Sequence, residues 1–309
     1  MSNPKFKQVI VAKPVVVRVG RKQWGRMFSP YDNKPKPLFT RLETGSGAGD
    51  QAYCVGFELE AWRCEAYADH MIEWIIDYAL KSDEIKTLSH GNTYLKLRQA
   101  AARIYKSEAY EKRGEIGEIS LHAICREFFG TIPFAPRVFY LSASNEVVKS
   151  FDMVHVRYEG ASVELWLGEA KFFKKRDKAI ASALESVTKH IDRGFLKNEK
   201  LILGPQVSTD IPHFEKIRDI LSEEVSLDVL FQKAIFPILI ASDSASTNSN
   251  KQLGEKYAAD VAVELASLSQ AIANSGLKST IKILLIYIPL GSKDQLAKAF
   301  DIRLKGLSP

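Results

Sequence analysis

The chain lacks the patterns that announce several specialised chemistries. Cysteine occurs three times in 309 residues, at Cys54, Cys64 and Cys125, never as a Cys-x-x-Cys pair. That spacing excludes a zinc ribbon and a disulfide framework, and leaves three small, reduced, buried side chains. Long apolar runs are also missing. The early run Val9–Val19 is broken by Lys13 and Pro14, so it does not read as a secretory signal, and Ile283–Leu290 is far too short to span a bilayer. A cytoplasmic chain without a membrane partner is expected. The Gly-rich stretch from Thr44 to Asp50 has no Lys-Ser/Thr and precedes an expected strand, so it reads as a turn and not a phosphate loop. With no Walker motif elsewhere, this chain is not expected to bind a nucleotide or to be an ATP-driven motor. Acids are scarce at the start: residues 1–42 hold ten Lys/Arg against the single acid Asp32.

What is present is an ordinary globular composition, 46% hydrophobic and 26% charged, with net charge +6. A chain of this size buries a sizeable core as one large domain or two smaller ones. The basic balance suits a polyanion, and the local excess in residues 1–42 is the stronger hint, toward nucleic acid or toward a protein partner.

The most informative stretch is 151–171. Two apolar-alternating runs flank Glu159-Gly160-Ala161 and read as a β-hairpin. If the loop is Gly160-Ala161, facing residues sum to 321: Val156 meets Leu165, Val154 meets Leu167, Asp152 meets Glu169, and Arg157 meets Glu164 as an opposite-charge pair. Side chains alternate along a strand, so Val154, Val156, Leu165 and Leu167 share one face, continued in phase by Asp152, Glu169 and Lys171. Burying two carboxylates and an ammonium is costly unless they pair or bind a cation. Upstream, the expected helix 114–129 carries an apolar stripe of Gly117, Leu121, Ile124, Cys125 and Phe128, with Glu118 inside it and Glu115 at its margin. Glu118 is the candidate third acid, Glu115 its reserve, and His122 is read as packing. Lys174, Lys175, Arg176 and Lys178, just after the Glu-x-Lys, suit phosphate contacts. Lys189 and His190, on or beside the next helix, could also face substrate.

Further elements are expected as a strand at 8–19, a strand at Ala52–Leu59, helices at 60–80 and 93–110, and a helix near 212–223. After these come a buried strand at 234–241, a helix at 252–275 ending at Gly276, a strand at Ile281–Ile288 and a final helix at 292–305. Strands separated by helices argue an α/β core with a mixed sheet. A soft boundary near residue 100 divides an N-terminal α+β region, 1–100, from 101–309. No repeat or low-complexity segment is evident beyond a Ser/Asn patch at 242–250.

An acid on one strand with Glu-x-Lys on the next resembles the PD-(D/E)xK nuclease superfamily, although Phe151 stands where the name of that motif has Pro. The same motif letters recur at Glu84-Ile85-Lys86, read as solvated surface. More broadly, Tyr53-Cys54-Val55-Gly56-Phe57-Glu58-Leu59-Glu60-Ala61-Trp62, Arg113-Gly114-Glu115-Ile116-Gly117-Glu118 and Gly168-Glu169-Ala170-Lys171 resemble the HamA family, nuclease subunits of the bacterial Hachiman anti-phage system, also described as AbpA. The resemblance implies a restriction-endonuclease-like core and a metal-dependent, largely sequence-non-specific DNA nuclease. It also implies a separate HamB-like helicase/ATPase partner. Asp152 and Glu169, with Glu118, would then hold Mg²⁺ or alternatively Mn²⁺, and Lys171 would orient a water or offset charge. Two other readings stand beside it: a catalytically silent nuclease fold that binds DNA or docks a helicase, and a hydrolase using Asp152 and Glu169 as an acid/base pair.

Overall fold

The computed structural model describes residues 33–307, except 46–48, 106–113, 135–150, 161, 193–202, 205, 206, 208, 210 and 223. The strand expected over residues 8–19 and most of the basic segment 1–42 lie outside the described residues. Seven strands form one mixed sheet in the order β1 (Thr40–Arg41), β2 (Asp50–Cys54), β9 (Lys282–Leu290), β8 (Ala234–Asp243), β7 (Ser162–Phe173), β6 (Met153–Glu159) and β5 (Ile132–Pro133). The four central strands β2, β9, β8 and β7 run parallel, while β1, β6 and β5 are antiparallel to their neighbours. The α/β class with a mixed sheet flanked by helices, as a restriction-endonuclease-like core requires, is observed.

Parallel central strands need cover on both faces, which is why β8 and β9 read as nearly unbroken apolar runs. One face packs on α1 (Cys64–Ala79), the short α2 (Ser82–Lys86), α3 (Thr93–Ile104), α4 (Glu115–Phe128) and the last helix, α10 (Lys293–Leu307). The other packs on α5 (Arg176–His190), α6 (Phe214–Leu221), α7 (Leu227–Lys233) and the long helix α9 (Glu255–Asn274). Gly276 follows α9 with φ +73°, the left-handed conformation that ends helices at glycine. Among the described residues no helix is long and apolar enough to cross a membrane.

Two differences from the sequence expectation have local causes. The run Ala52–Leu59 is not one strand: β2 ends at Cys54, and Phe57–Glu58 (β3) pairs with Ala61–Trp62 (β4) in a separate small hairpin. Its turn residues Leu59 and Glu60 have φ +48° and +64°, and neither is a residue that signals a left-handed turn. Helix α1 therefore starts at Cys64 and not at residue 60. The Ser/Asn patch 242–250 contains a short helix, α8 (Ala245–Ser249), capped by the Ser244 hydroxyl, which accepts from the Thr247 N–H. Residue 100 falls within α3, and β2 lies in the same sheet as the strands that follow it.

Candidate active site

β6 and β7 form the expected hairpin in the expected register. Val154 faces Leu167, Val156 faces Leu165, and Glu159 faces Ser162 around Gly160, whose φ is +60°. Arg157 Nε donates to Glu164 Oε2 at 2.7 Å, the cross-strand pair that the register requires. Val154, Val156, Leu165 and Leu167 all enter the core on the α5 side, and Met153, Trp166, Ala170 and Phe172 enter the opposite core.

Asp152, just before β6, is bracketed by the partner strand. Its N–H donates to the Gly168 carbonyl at 2.9 Å, and its Oδ2 accepts from the Ala170 N–H at 2.9 Å. That grip sets Asp152 opposite Glu169, which lies between those two residues. Both acids are buried, at 8% and 3% exposure. Lys171, half-buried, places its Nζ 2.6 Å from Glu169 Oε1. The structure thus brings together Asp152, Glu169 and Lys171.

A fourth group joins them. His190, on the last turn of α5, sets its Nδ1 3.4 Å from Glu169 Oε2, and the Phe151 ring packs on the imidazole at 4.8 Å. The sequence offers His190 as a residue that could face substrate but not as a neighbour of Glu169, because only the crossing of α5 over the sheet carries its C-terminal end there. The ladder between β7 and β8 also has a gap here: Trp166 pairs with Ile235 and Glu169 with Ile238, but Leu167 and Gly168 have no partners opposite Phe236 and Pro237. Proline has no N–H to give, so the ladder opens immediately before Glu169.

Glu118 is placed differently. It stands on α4, whose Gly117 lies against Ala170 and Phe172 and whose Leu121 lies against Gly168, on the sheet face opposite Glu169. Its Oε2 accepts from the Tyr78 hydroxyl at 2.5 Å. The exposed cations sort likewise: Lys174 pairs with Asp294 at 2.5 Å, Lys175 and Lys178 stand in solvent, and Arg176 is partly buried against α9.

Behind the site, on the α4 side, lies a buried polar chain. Asp77 Oδ1 is 2.6 Å from His122 Nε2, His122 Nδ1 is 3.0 Å from His155 Nε2, and His155 Nδ1 is 2.8 Å from Thr131 Oγ1. Arg126 donates to both Asp77 oxygens and to the Thr131 carbonyl. Burial alone would raise the Asp77 carboxyl, but Arg126 and His122 together hold it below the ordinary carboxylate value. Burial depresses both imidazoles, His155 most, helped there by His122 and Arg126. An ionised Asp77 orders every proton: His122 donates to Asp77, His155 to His122, and Thr131 to His155.

For a divalent cation the donor set is suitable, with two buried carboxylates in one row beside backbone carbonyls. Mg²⁺ is commonly held by one or two carboxylates and completes its shell with water and phosphate oxygens. Among the described residues no three His, Cys, Asp or Glu side chains are gathered as a ready-made cage. The fit is therefore to a hard ion completed by substrate, not to a structural metal.

A family model described as HamA matches residues 36–304. No curated protein matches the chain, and no solved structure does.

Proposed function

The chain belongs to the HamA family, and on that premise we propose that it is a metal-dependent nuclease cutting DNA as the effector of an anti-phage complex with a helicase partner. Membership itself gives the chain a defence-related role. The observation that carries the finer reading is the buried Asp152–Glu169–Lys171 row at the opened ladder, since two buried acids and an ammonium contribute little to stability for their desolvation cost. Catalytic constellations routinely sit in such costly arrangements.

In this reading Asp152 and Glu169 would hold Mg²⁺ or Mn²⁺. Bound there, such an ion lowers the pKa of water and offsets charge on the phosphate. Lys171 supplies a positive charge beside the carboxylates that orients a water or a phosphate oxygen. His190 braces Glu169 from the α5 side. Glu118, across the sheet, fixes α4 to Tyr78 and takes no part as a ligand. The basic surface from Lys174 to Lys178 attracts the phosphate backbone without reading sequence.

The test is cleavage of linear and plasmid DNA in Mg²⁺ or in EDTA, alone and with the helicase subunit and ATP. The wild type is compared with the Glu169→Ala/Lys171→Ala double variant. Mg²⁺-dependent degradation should fall at least about a hundredfold in the variant. Cleavage that survives the double substitution sinks the site assignment, and absence of cleavage even with the helicase favours a silent docking subunit.

A further inference from the structure

The carboxyl ends of β7, β8 and β9 carry a second polar centre, separate from the Asp152–Glu169–Lys171 row. Glu264, on α9, is 8% exposed, and its carboxylate collects four donors. Ser244 Oγ approaches at 2.8 Å, Ser246 Oγ at 2.9 Å, the Ser246 N–H at 3.2 Å and the Tyr287 hydroxyl at 2.7 Å. A carboxylate held from four sides cannot turn. Its charge faces Arg176, whose Nη1 lies 3.8 Å away. Among the described residues Arg176 is anchored by charge alone: its Nε is buried without a hydrogen-bond partner, while the side chain remains 28% exposed. With Nε buried, the exposed part of the side chain presents its terminal nitrogens, and a guanidinium with a fixed counter-charge behind it is preorganised to grip an oxyanion end-on.

The position of this arginine fits a strand of nucleic acid. Tyr287 pairs in register with Ile240, and Ile240 with Lys171, so the three share one face of the sheet. Tyr287 is thus roughly 10 Å from Lys171, two strand spacings. A backbone lying across the carboxyl edge with one phosphate at Lys171 brings a neighbouring phosphate to Arg176. We propose that Arg176 is a single-phosphate clamp for the bound strand, and that Glu264, held by Ser244, Ser246 and Tyr287, is its positioning residue. This rests on the nuclease reading.

The experiment is fluorescence anisotropy of a labelled DNA oligonucleotide in EDTA, so that nothing is cut, over a series of salt concentrations. The wild type is compared with Arg176→Ala, Glu264→Gln and the double variant, each checked by thermal melting. Arg176→Ala should weaken binding about tenfold at low salt and reduce the salt slope by about one counterion. Glu264→Gln should weaken binding in the wild-type background and add nothing in the Arg176→Ala background. A merely structural Glu264 would lower the melting temperature and weaken binding equally in both. If Glu264→Gln fails to fold, Ser246→Ala loosens the same carboxylate and is read in the same cycle.

Unchanged affinity and salt slope in Arg176→Ala overturn the clamp and leave the nuclease reading intact. A wild type that binds no DNA, either alone or with the helicase subunit, overturns both. A parallel arm titrates inorganic phosphate by calorimetry. Phosphate binding abolished by Arg176→Ala while DNA affinity stays unchanged assigns the arginine to a free anion and overturns the strand clamp.

Discussion

At the scale of single residues, the buried chain from Thr131 through His155 and His122 to Asp77 makes a sharp prediction about acid. Both imidazoles are held below the ordinary histidine value, and the groups facing them are Asp77, Arg126, Thr131 and the rings of Trp74 and Tyr78. A depressed histidine means that the unfolded chain takes up protons that the folded chain refuses. Stability is therefore intact above pH ~6.5 and declines below it. The decline reaches up to about 1.4 kcal/mol per pH unit for each histidine that stays neutral. Asp77, held low, adds to this only in strong acid. Urea midpoints at pH 7.5 and 5.5 measure the effect, and His155→Gln should flatten it; an equal fall in that variant would place the cause elsewhere. The same scale shows what sequence can and cannot reveal. Asp152, Glu169 and Lys171 were legible because alternation on a hairpin is a local rule with a two-residue period. Glu118 was legible as a core-side acid but not as to which side of the sheet, since a helical wheel does not say which face of a sheet the helix covers. His190 was legible only as a residue that could face substrate, and its approach to Glu169 was not, because about twenty residues and a helix crossing separate the two.

At the scale of elements, the hairpin and α4 are locked by a close approach at Gly168. A Cβ built there would lie 2.8 Å from Leu121 Cδ2 and 3.1 Å from Met153 Cβ. The Leu121 methyl can rotate away, but Met153 Cβ is fixed to the backbone of β6. Gly168→Ala should thus cost about 1–3 kcal/mol by overpacking, and the shift passes directly to Glu169. Denaturant melts give the first number; a substitution costing nothing would show that α4 is free to back away. Most elements were legible from periodicity, because long apolar stripes and buried β-branched runs outweigh local detail. The β3–β4 hairpin was not, since Leu59 and Glu60 occupy left-handed conformations without Gly or Asn to announce them. The Pro237 gap was likewise hidden: the proline is plain in the sequence, but that it faces Gly168 beside the site follows only from strand order.

At the scale of the whole molecule, one sheet with a core on each face holds the site at the boundary between antiparallel and parallel pairing, at the open end of the β6–β7 hairpin where β7 also pairs with β8. Sequence pattern gave the α/β class but not this order, since the pairing of β2 with β9 joins residues more than two hundred positions apart. The arrangement leaves Asp152 and Glu169 buried close together, with Lys171 as the countercharge to Glu169 at 2.6 Å. Removing one of the two carboxylates gives a measurement independent of catalysis. Asp152→Asn removes one charge but keeps an oxygen for the Ala170 N–H, so the metal-free variant should melt higher than the wild type; a lower melting temperature would mean that the grip on Ala170 outweighs the repulsion. Mg²⁺ at ten times its dissociation constant should stabilise the wild type by about 1.4 kcal/mol, a rise in melting temperature of roughly 2 °C. That rise should vanish in Asp152→Asn and in Glu169→Gln, and persist in Glu118→Gln, because Glu118 bonds to Tyr78 across the sheet. Loss of the rise in Glu118→Gln would return Glu118 to the metal shell and overturn its separation from the site. An equal rise in all four proteins would mean that Mg²⁺ binds elsewhere, and that the buried row at β7 is not the metal centre.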